Sequence, residues 1–166
     1  PKDNNPFAIT HGQTERVTVM YSGNMGATHG LTALVQAVAG LDATQSGTVH
    51  ALLVGDGLGR AAAEAEAARL GTDRVTFLPY QPWDVVPWST ATADIAVVSQ
   101  APGTEHLSVP SKTYTCLAAG AAILALTRDD SDLARLVRDQ GVGLVVPRDD
   151  PQAIGAAIAS LAADPE

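Results

Sequence analysis

Short apolar runs alternate with longer stretches whose apolar residues recur every three or four positions. The runs Val17–Tyr21, Val49–Val54, Val75–Leu78, Asp94–Val98, Ala121–Leu126 and Gly143–Val146 carry no internal polar alternation. They read as strands buried on both faces. Between them, helices are predicted from Gly30 to about Gly40, over Arg60–Leu70, as a short piece around Val85–Ala93, and over Ser111–Ala119, Ser131–Asp139 and Pro151–Ala163. Strand followed by helix, six times over, specifies right-handed crossovers and a parallel sheet. The expected fold is α/β: a doubly wound, Rossmann-like parallel sheet of about six strands with helices on both faces. Residues 1–15, rich in Pro, Asn and other polar residues, are expected to be a linker, and residues 16–166 a single domain.

Composition narrows this picture. At 166 residues the chain can bury roughly 70% of its unfolded surface without cross-links. Apolar residues make up 46% and aromatics only 4%, so Ala, Val, Leu and Ile must fill the core. A net charge of −8 disfavours a nucleic-acid partner. The single Cys116 excludes an internal disulfide framework and a cysteine-based zinc cluster. No apolar run reaches membrane-spanning length and no secretory leader opens the sequence, so a cytoplasmic protein is expected.

Candidate chemistry follows from where such a sheet binds ligands: beyond the carboxyl ends of its strands, where the strand order reverses. Glycine collects there. Gly23-Asn24-Met25-Gly26-Ala27-Thr28-His29-Gly30 follows the first strand and Gly55-Asp56-Gly57-Leu58-Gly59 the second. Missing side chains let backbone approach a ligand, and His29 beside a helix start can donate to a phosphate. Either loop alone is equally well an ordinary turn, with Asp56 capping a helix. Only two of the ten basic residues are lysines, and Lys112 opens a helix for which Ser111 is the expected N-cap. A cation in a first turn opposes the helix dipole unless an anion sits there. A solvated surface lysine is the competing reading, and the sequence leaves both open.

Other phosphate and nucleophile motifs fit poorly. Glycines at 23, 26 and 30 lack the Gly-x-Gly-x-x-Gly spacing of a nicotinamide domain, although Asp56 suits a ribose contact. A phospho-receiver could use Asp56 and Lys112, but no acidic pair follows the first strand to hold magnesium. There is no Walker loop, no Gly-x-Ser-x-Gly elbow and no His-x-x-x-His pair, and Cys116 falls on the apolar side of its helix.

Taken in order, Tyr21-Ser22-Gly23-Asn24-Met25-Gly26, His29-Gly30-Leu31, Leu53-Val54-Gly55-Asp56-Gly57, Val75-Thr76-Phe77-Leu78-Pro79, Ala93–Val98, Val109-Pro110-Ser111-Lys112 leading to Leu117-Ala118-Ala119-Gly120, and Gly141–Pro147 with Asp150-Pro151 resemble one family. This is the carboxyl-terminal, donor-binding half of the GT-B glycosyltransferases of family 4, also called group 1. The resemblance covers about Val17 to Glu166, and its Pro-Ser-Lys variant is similar to a branch that transfers amino sugars in polysaccharide or cell-surface glycan assembly.

The resemblance implies a donor site for a nucleotide diphosphate sugar, with UDP expected. Gly23, Asn24, Gly26, His29, Ser111 and Lys112 would bind the diphosphate; Gly55, Asp56, Gly57, Phe77, Leu78, Pro79 and Thr115 would bind the nucleoside. No cofactor or metal is expected. Many relatives carry two glutamates eight positions apart; counted back from Gly120, those places hold Leu107 and Thr115. Glu105 and His106 stand in the same loop as substitutes for the sugar contact. The amino-terminal acceptor domain of the family would be missing, so the chain is expected to bind donor without turning it over alone. Membrane contact, at the inner face, would come only through that missing half. A nucleotide-binding module without catalysis, a nucleotide-sugar epimerase-like domain and a structural partner domain are the alternatives.

Overall fold

A computed structural model of the chain describes residues 2–42 and 49–163. Pro1 of the expected linker, and residues 43–48 and 164–166 of the expected domain, lie outside the described residues. Six strands form one sheet: β1 (Thr18–Asn24), β2 (His50–Asp56), β3 (Val75–Leu78), β4 (Ile95–Ser99), β5 (Ala122–Leu126) and β6 (Gly143–Val146). Every pairing is parallel and the spatial order is β3-β2-β1-β4-β5-β6. Strand order therefore reverses between β1 and β4, and the crevice for a ligand opens at their carboxyl ends.

Among the described residues seven α-helices form the two outer layers: α1 (Pro6–Thr10), α2 (Leu31–Ala39), α3 (Arg60–Leu70), α4 (Val86–Thr90), α5 (Lys112–Ala118), α6 (Asp132–Gln140) and α7 (Pro151–Ala163). One face of the sheet (Val19, Tyr21, Leu53, Ile95, Val97, Leu124, Leu126) packs on α2, α3 and α7 through Leu34, Val38, Ala63, Ile154 and Ile158. The other face (Met20, Leu52, Val54, Val98, Ile123, Ala125) packs on α1, α5 and α6 through Phe7, Leu117, Leu133 and Val137. Alternate residues of one strand feed opposite layers, which is why the strands read as unbroken apolar runs. Local signals set the helix ends. The Ser131 hydroxyl accepts from the Ala134 N–H (3.0 Å), the Asp150 carboxylate accepts from the N–H groups of Gln152 and Ala153, and α6 stops at Gly141, φ 61°.

The amino-terminal segment carries more order than a linker composition predicts. After a 3₁₀ turn at Lys2–Asn4, Asn5 caps α1 by accepting from the N–H groups of Phe7 and Ala8, with Pro6 at the first helical position. Phe7 and Ala8 are buried, and the Asn5 amide donates to the Trp88 carbonyl (2.8 Å) and Thr92 Oγ1 (3.0 Å). Lys2 pairs with Asp94, whose carboxylate also accepts from the Thr18 N–H. This clasp lies at the opposite end of the sheet from the crevice. No described helix is long and apolar enough to cross a membrane.

Candidate functional site

The loops after β1 and β2 pack on each other before they meet any ligand. Gly23 is in register with Gly55, and Asn24 with Asp56. A Cβ on Gly55 (φ 133°) would fall well inside contact distance of the Gly23 carbonyl oxygen. A Cβ on Gly57 would lie 2.5 Å from the Met25 oxygen, and one on Gly59 2.6 Å from the Gly26 oxygen. These glycines are thus needed for backbone-to-backbone packing of the two loops. Loop packing is thus a sufficient reason for glycine at 55 and 57, beside the ligand approach that the sequence suggests. Gly55 is buried outright. Asp56 is exposed, turns Oδ1 to the Gly57 N–H (2.7 Å), and caps no helix; α3 begins without a side-chain cap.

Lys112 is not a surface lysine. From the first turn of α5 it crosses the crevice to donate to the Ser22 carbonyl (3.0 Å), with Nζ 4.5 Å from the centroid of the Tyr21 ring. A Cβ on Gly23 would stand 3.2 Å from that Nζ, so Gly23 makes the room for the ammonium. Burial lowers the Lys112 pKa, and no carboxylate pairs it among the described residues. Ser111, expected to cap α5, has helical dihedrals and makes no capping bond. The helix spans only seven residues, so positive potential here comes from the Lys112 ammonium far more than from a helix dipole.

His29 joins Lys112 at the crevice. Its Nδ1 lies 2.7 Å from the Tyr21 hydroxyl and accepts from the Gly26 N–H at 3.2 Å, while burial and the Lys112 charge lower its pKa. Gly30 (φ 72°) then opens α2 without a side-chain cap, and any Cβ there would collide with the Arg148 carbonyl. The amino end of α2 therefore faces the same crevice with uncapped N–H groups.

Arg148, on the β6–α7 loop, is the residue that sequence reasoning passed over. Its side chain is largely buried, Nη1 donates to the Gln100 carbonyl (2.7 Å), and Nη2 lies 3.8 Å from Glu105 Oε1. Glu105 itself is buried. Backbone N–H groups of Glu105 and Gly103, and the charge of Arg148, hold its carboxyl below the ordinary range. His106 next to it is exposed, 3.8 Å from Asp130. Two hydroxyls at this rim, Ser99 Oγ and Thr113 Oγ1, are buried without a hydrogen-bond partner, and neither carries a sequence signal.

The remaining candidates are less convergent. Phe77 is half-buried beneath the Arg60 guanidinium (6.0 Å), and the Leu78 carbonyl already accepts from Arg60 (3.1 Å). Of Phe77, Leu78 and Pro79, only Pro79 is exposed. Thr115 is exposed one turn along α5, and Leu107 is 77% exposed. A cleft of about 430 Å³ opens further along the rim, lined by Thr127, Arg128, Asp129, Asp130, Pro147, Arg148 and Asp149. Arg148 is the wall it shares with the basic cluster.

Residues 16–164 match the family model described as "Glycosyl transferases group 1". Among curated proteins, the chain is 26% identical over 155 residues to a probable glycosyltransferase, WbjE, of Pseudomonas aeruginosa, covering 93% of this chain and 38% of that protein. It is 27% identical over 144 residues to WcaI of Escherichia coli K12, a putative colanic acid biosynthesis glycosyl transferase, covering 86% of this chain and 34% of that protein. The chain thus spans somewhat over a third of these relatives' length. Among solved structures, Anabaena Alr3699/HepE in complex with UDP and glucose superposes with a TM-score of 0.77 at 21% identity, covering 99% of this chain and 43% of that one.

Proposed function

The chain belongs to the group 1 glycosyl transferases, and on that premise we propose that it is the donor-binding unit of an enzyme transferring sugar from a nucleotide diphosphate sugar to a growing glycan. The observation that carries this reading is the Lys112 ammonium: half-buried, unpaired by any carboxylate among the described residues, and lodged where the strand order reverses. A partly buried cation without a counter-charge is costly, and a diphosphate in the crevice supplies that charge. UDP is the preferred nucleotide; the crystal structure of Alr3699/HepE holds it in a protein of the same fold.

Transfer requires the bond between the anomeric carbon and the diphosphate oxygen to break, and negative charge grows on the departing phosphate. Lys112, the Nε2–H of His29, Arg148 and the open amino end of α2 are fixed donors and charges around that position, so they stabilise the leaving group without reorganising. On this reading these groups take the role that a metal ion fills in other sugar transferases. Gly57, Pro79 and the neighbouring Tyr80 are offered for the nucleoside side. Glu105, tied to Arg148, shapes the β4–α5 loop, so the role proposed for it is loop geometry rather than direct sugar contact.

Isothermal titration of UDP and UDP-glucose, with and without EDTA, tests the reading. Micromolar to millimolar binding that survives the chelator supports it; no binding, or binding abolished by EDTA, refutes the corresponding part. A second reading, nucleotide binding without chemistry, is favoured by the exposed Leu107 and Thr115, which bring no carboxylate to the rim. It predicts equal affinity for UDP and UDP-glucose. The isolated chain is proposed to bind donor without transferring it, which efficient transfer to an added acceptor would overturn.

A further inference from the structure

We propose that His29 holds the donor diphosphate as an imidazolium, taking up a proton at Nδ1 when the anion arrives, so that donor affinity is coupled to pH. The inference rests on the donor-site reading above. Its basis is the position of Nδ1 between partners of both kinds. The Gly26 N–H points at it as a donor (3.2 Å), while the Asn24 carbonyl (3.2 Å) and the Tyr21 hydroxyl oxygen (2.7 Å) stand ready as acceptors. In the neutral ring with its proton on Nε2, Nδ1 accepts from Gly26. In the charged ring, Nδ1–H donates to Asn24 or Tyr21, and the Tyr21 hydroxyl keeps its own bond to the Asn24 oxygen (2.5 Å). Neither protonation state orphans the nitrogen. In both states Nε2–H has no protein partner among the described residues.

The charged groups around the ring set which state the free protein adopts. Lys112 faces it from α5 and Arg148 from the β6–α7 loop, and with burial they hold its pKa below the ordinary value of 6.5. Tyr21, on β1, is neutral, its pKa raised by burial. Asp56, opposite Asn24 on β2, spends its carboxylate on the Gly57 N–H, and Glu105 and Asp149 lie against Arg148. The free ring is therefore neutral near pH 7. A diphosphate between Lys112 and His29 reverses the sign of the local field and raises the affinity of Nδ1 for a proton. One proton is drawn from solvent for each such binding event, and none is released by the ligand.

UDP-glucose is the probe, because its diphosphate diester carries no group titrating between about pH 5 and 9. Titration calorimetry of the 166-residue chain in two buffers of different ionisation enthalpy reads proton uptake directly. The expected result is net uptake approaching one proton per ligand, with affinity falling up to about tenfold per pH unit between the free and bound pKa values. His29→Gln keeps a hydrogen-bond donor but cannot titrate, and should abolish both uptake and slope. His29→Lys carries a fixed charge and should give a flat profile near the wild-type acid limb. Binding of UDP-glucose to the wild type without proton uptake overturns this proposal alone. So does a slope that survives in His29→Gln, which would place the titration on Lys112. A wild-type chain that binds no UDP-glucose at millimolar concentration removes the donor site itself and this proposal with it.

Discussion

The Lys112 ammonium rests 4.5 Å from the centre of the Tyr21 ring and donates to the carbonyl of Ser22, the next residue on the same strand. The ring face and the Ser22 carbonyl compensate the half-buried charge only in part, since a cation–π contact is worth roughly 0.5–2 kcal/mol. Lys112→Met should therefore weaken UDP binding by about ten- to a hundredfold, the scale of losing a charge-assisted contact of about 1.5–3 kcal/mol. Its melting temperature should stay level or rise, because an unpaired, half-buried charge is removed. Calorimetry together with a thermal melt separates the two effects; a melting temperature that drops in step with affinity would make Lys112 a structural residue.

Gly55→Ala should be among the most damaging small changes in the chain. Its φ of 133° is hostile to any side chain, and the new methyl would run into Gly23 backbone that cannot swing aside. The expected destabilisation is about 2–4 kcal/mol in urea unfolding, combining strain with overpacking. Gly71→Ala is the control, since its φ of 62° is unfavourable but nothing lies within 4 Å of the added carbon. It should lose about 1–2 kcal/mol.

His50 gives the fold an acid-sensitive joint at the amino end of β2. The ring is buried between the Arg16 guanidinium on Nδ1 (2.8 Å) and Thr76 Oγ1 on Nε2 (2.9 Å). Burial and the Arg16 charge lower its pKa from 6.5 to about 4. The unfolded chain therefore binds the proton first as pH falls, so stability is full above about 6.5 and is lost as pH drops toward 4. The total at stake is of order 3 kcal/mol. Urea midpoints should fall over that window, and His50→Gln should flatten the profile while lowering the plateau.

Arg148 and Glu105 should prove coupled. Arg148→Met leaves a buried carboxylate facing an apolar stem and an unmatched Gln100 carbonyl. Its melting temperature should fall by several degrees, and adding Glu105→Gln should recover part of that loss. A double-mutant cycle by thermal unfolding measures the recovery, and strictly additive effects would show that the pair does not interact.

Much of this architecture was readable from residue order. Helix Arg60–Leu70, strands Val75–Leu78 and Gly143–Val146, and helix Pro151–Ala163 have the same limits in sequence and structure, because flanking Gly, Pro or Asp marks their ends. The order of the amino-terminal segment is hidden in the sequence because Asn5 and Pro6 have two uses: they break structure in a linker, and they also start a helix when something buries Phe7. The site was legible in type but not in detail. Sequence shows where a Cβ is missing, yet only the fold reveals that Gly55 yields to Gly23 while Gly23 yields to Lys112. Arg148 had no signal at all. It sits in a polar Pro-Arg-Asp-Asp turn, and its importance comes from contacts with residues 100 and 105.

The outer strands have a consequence of their own. β3 and β6 are four residues each, against seven for the inner β1 and β2. A ledge that short presents few unpaired amides to a passing polypeptide, and Pro79 and Pro147 each lie one residue past its end, where neither can donate another. Lateral growth of the sheet into ribbons or fibres is thereby discouraged, and concentrated samples should scatter light as discrete particles.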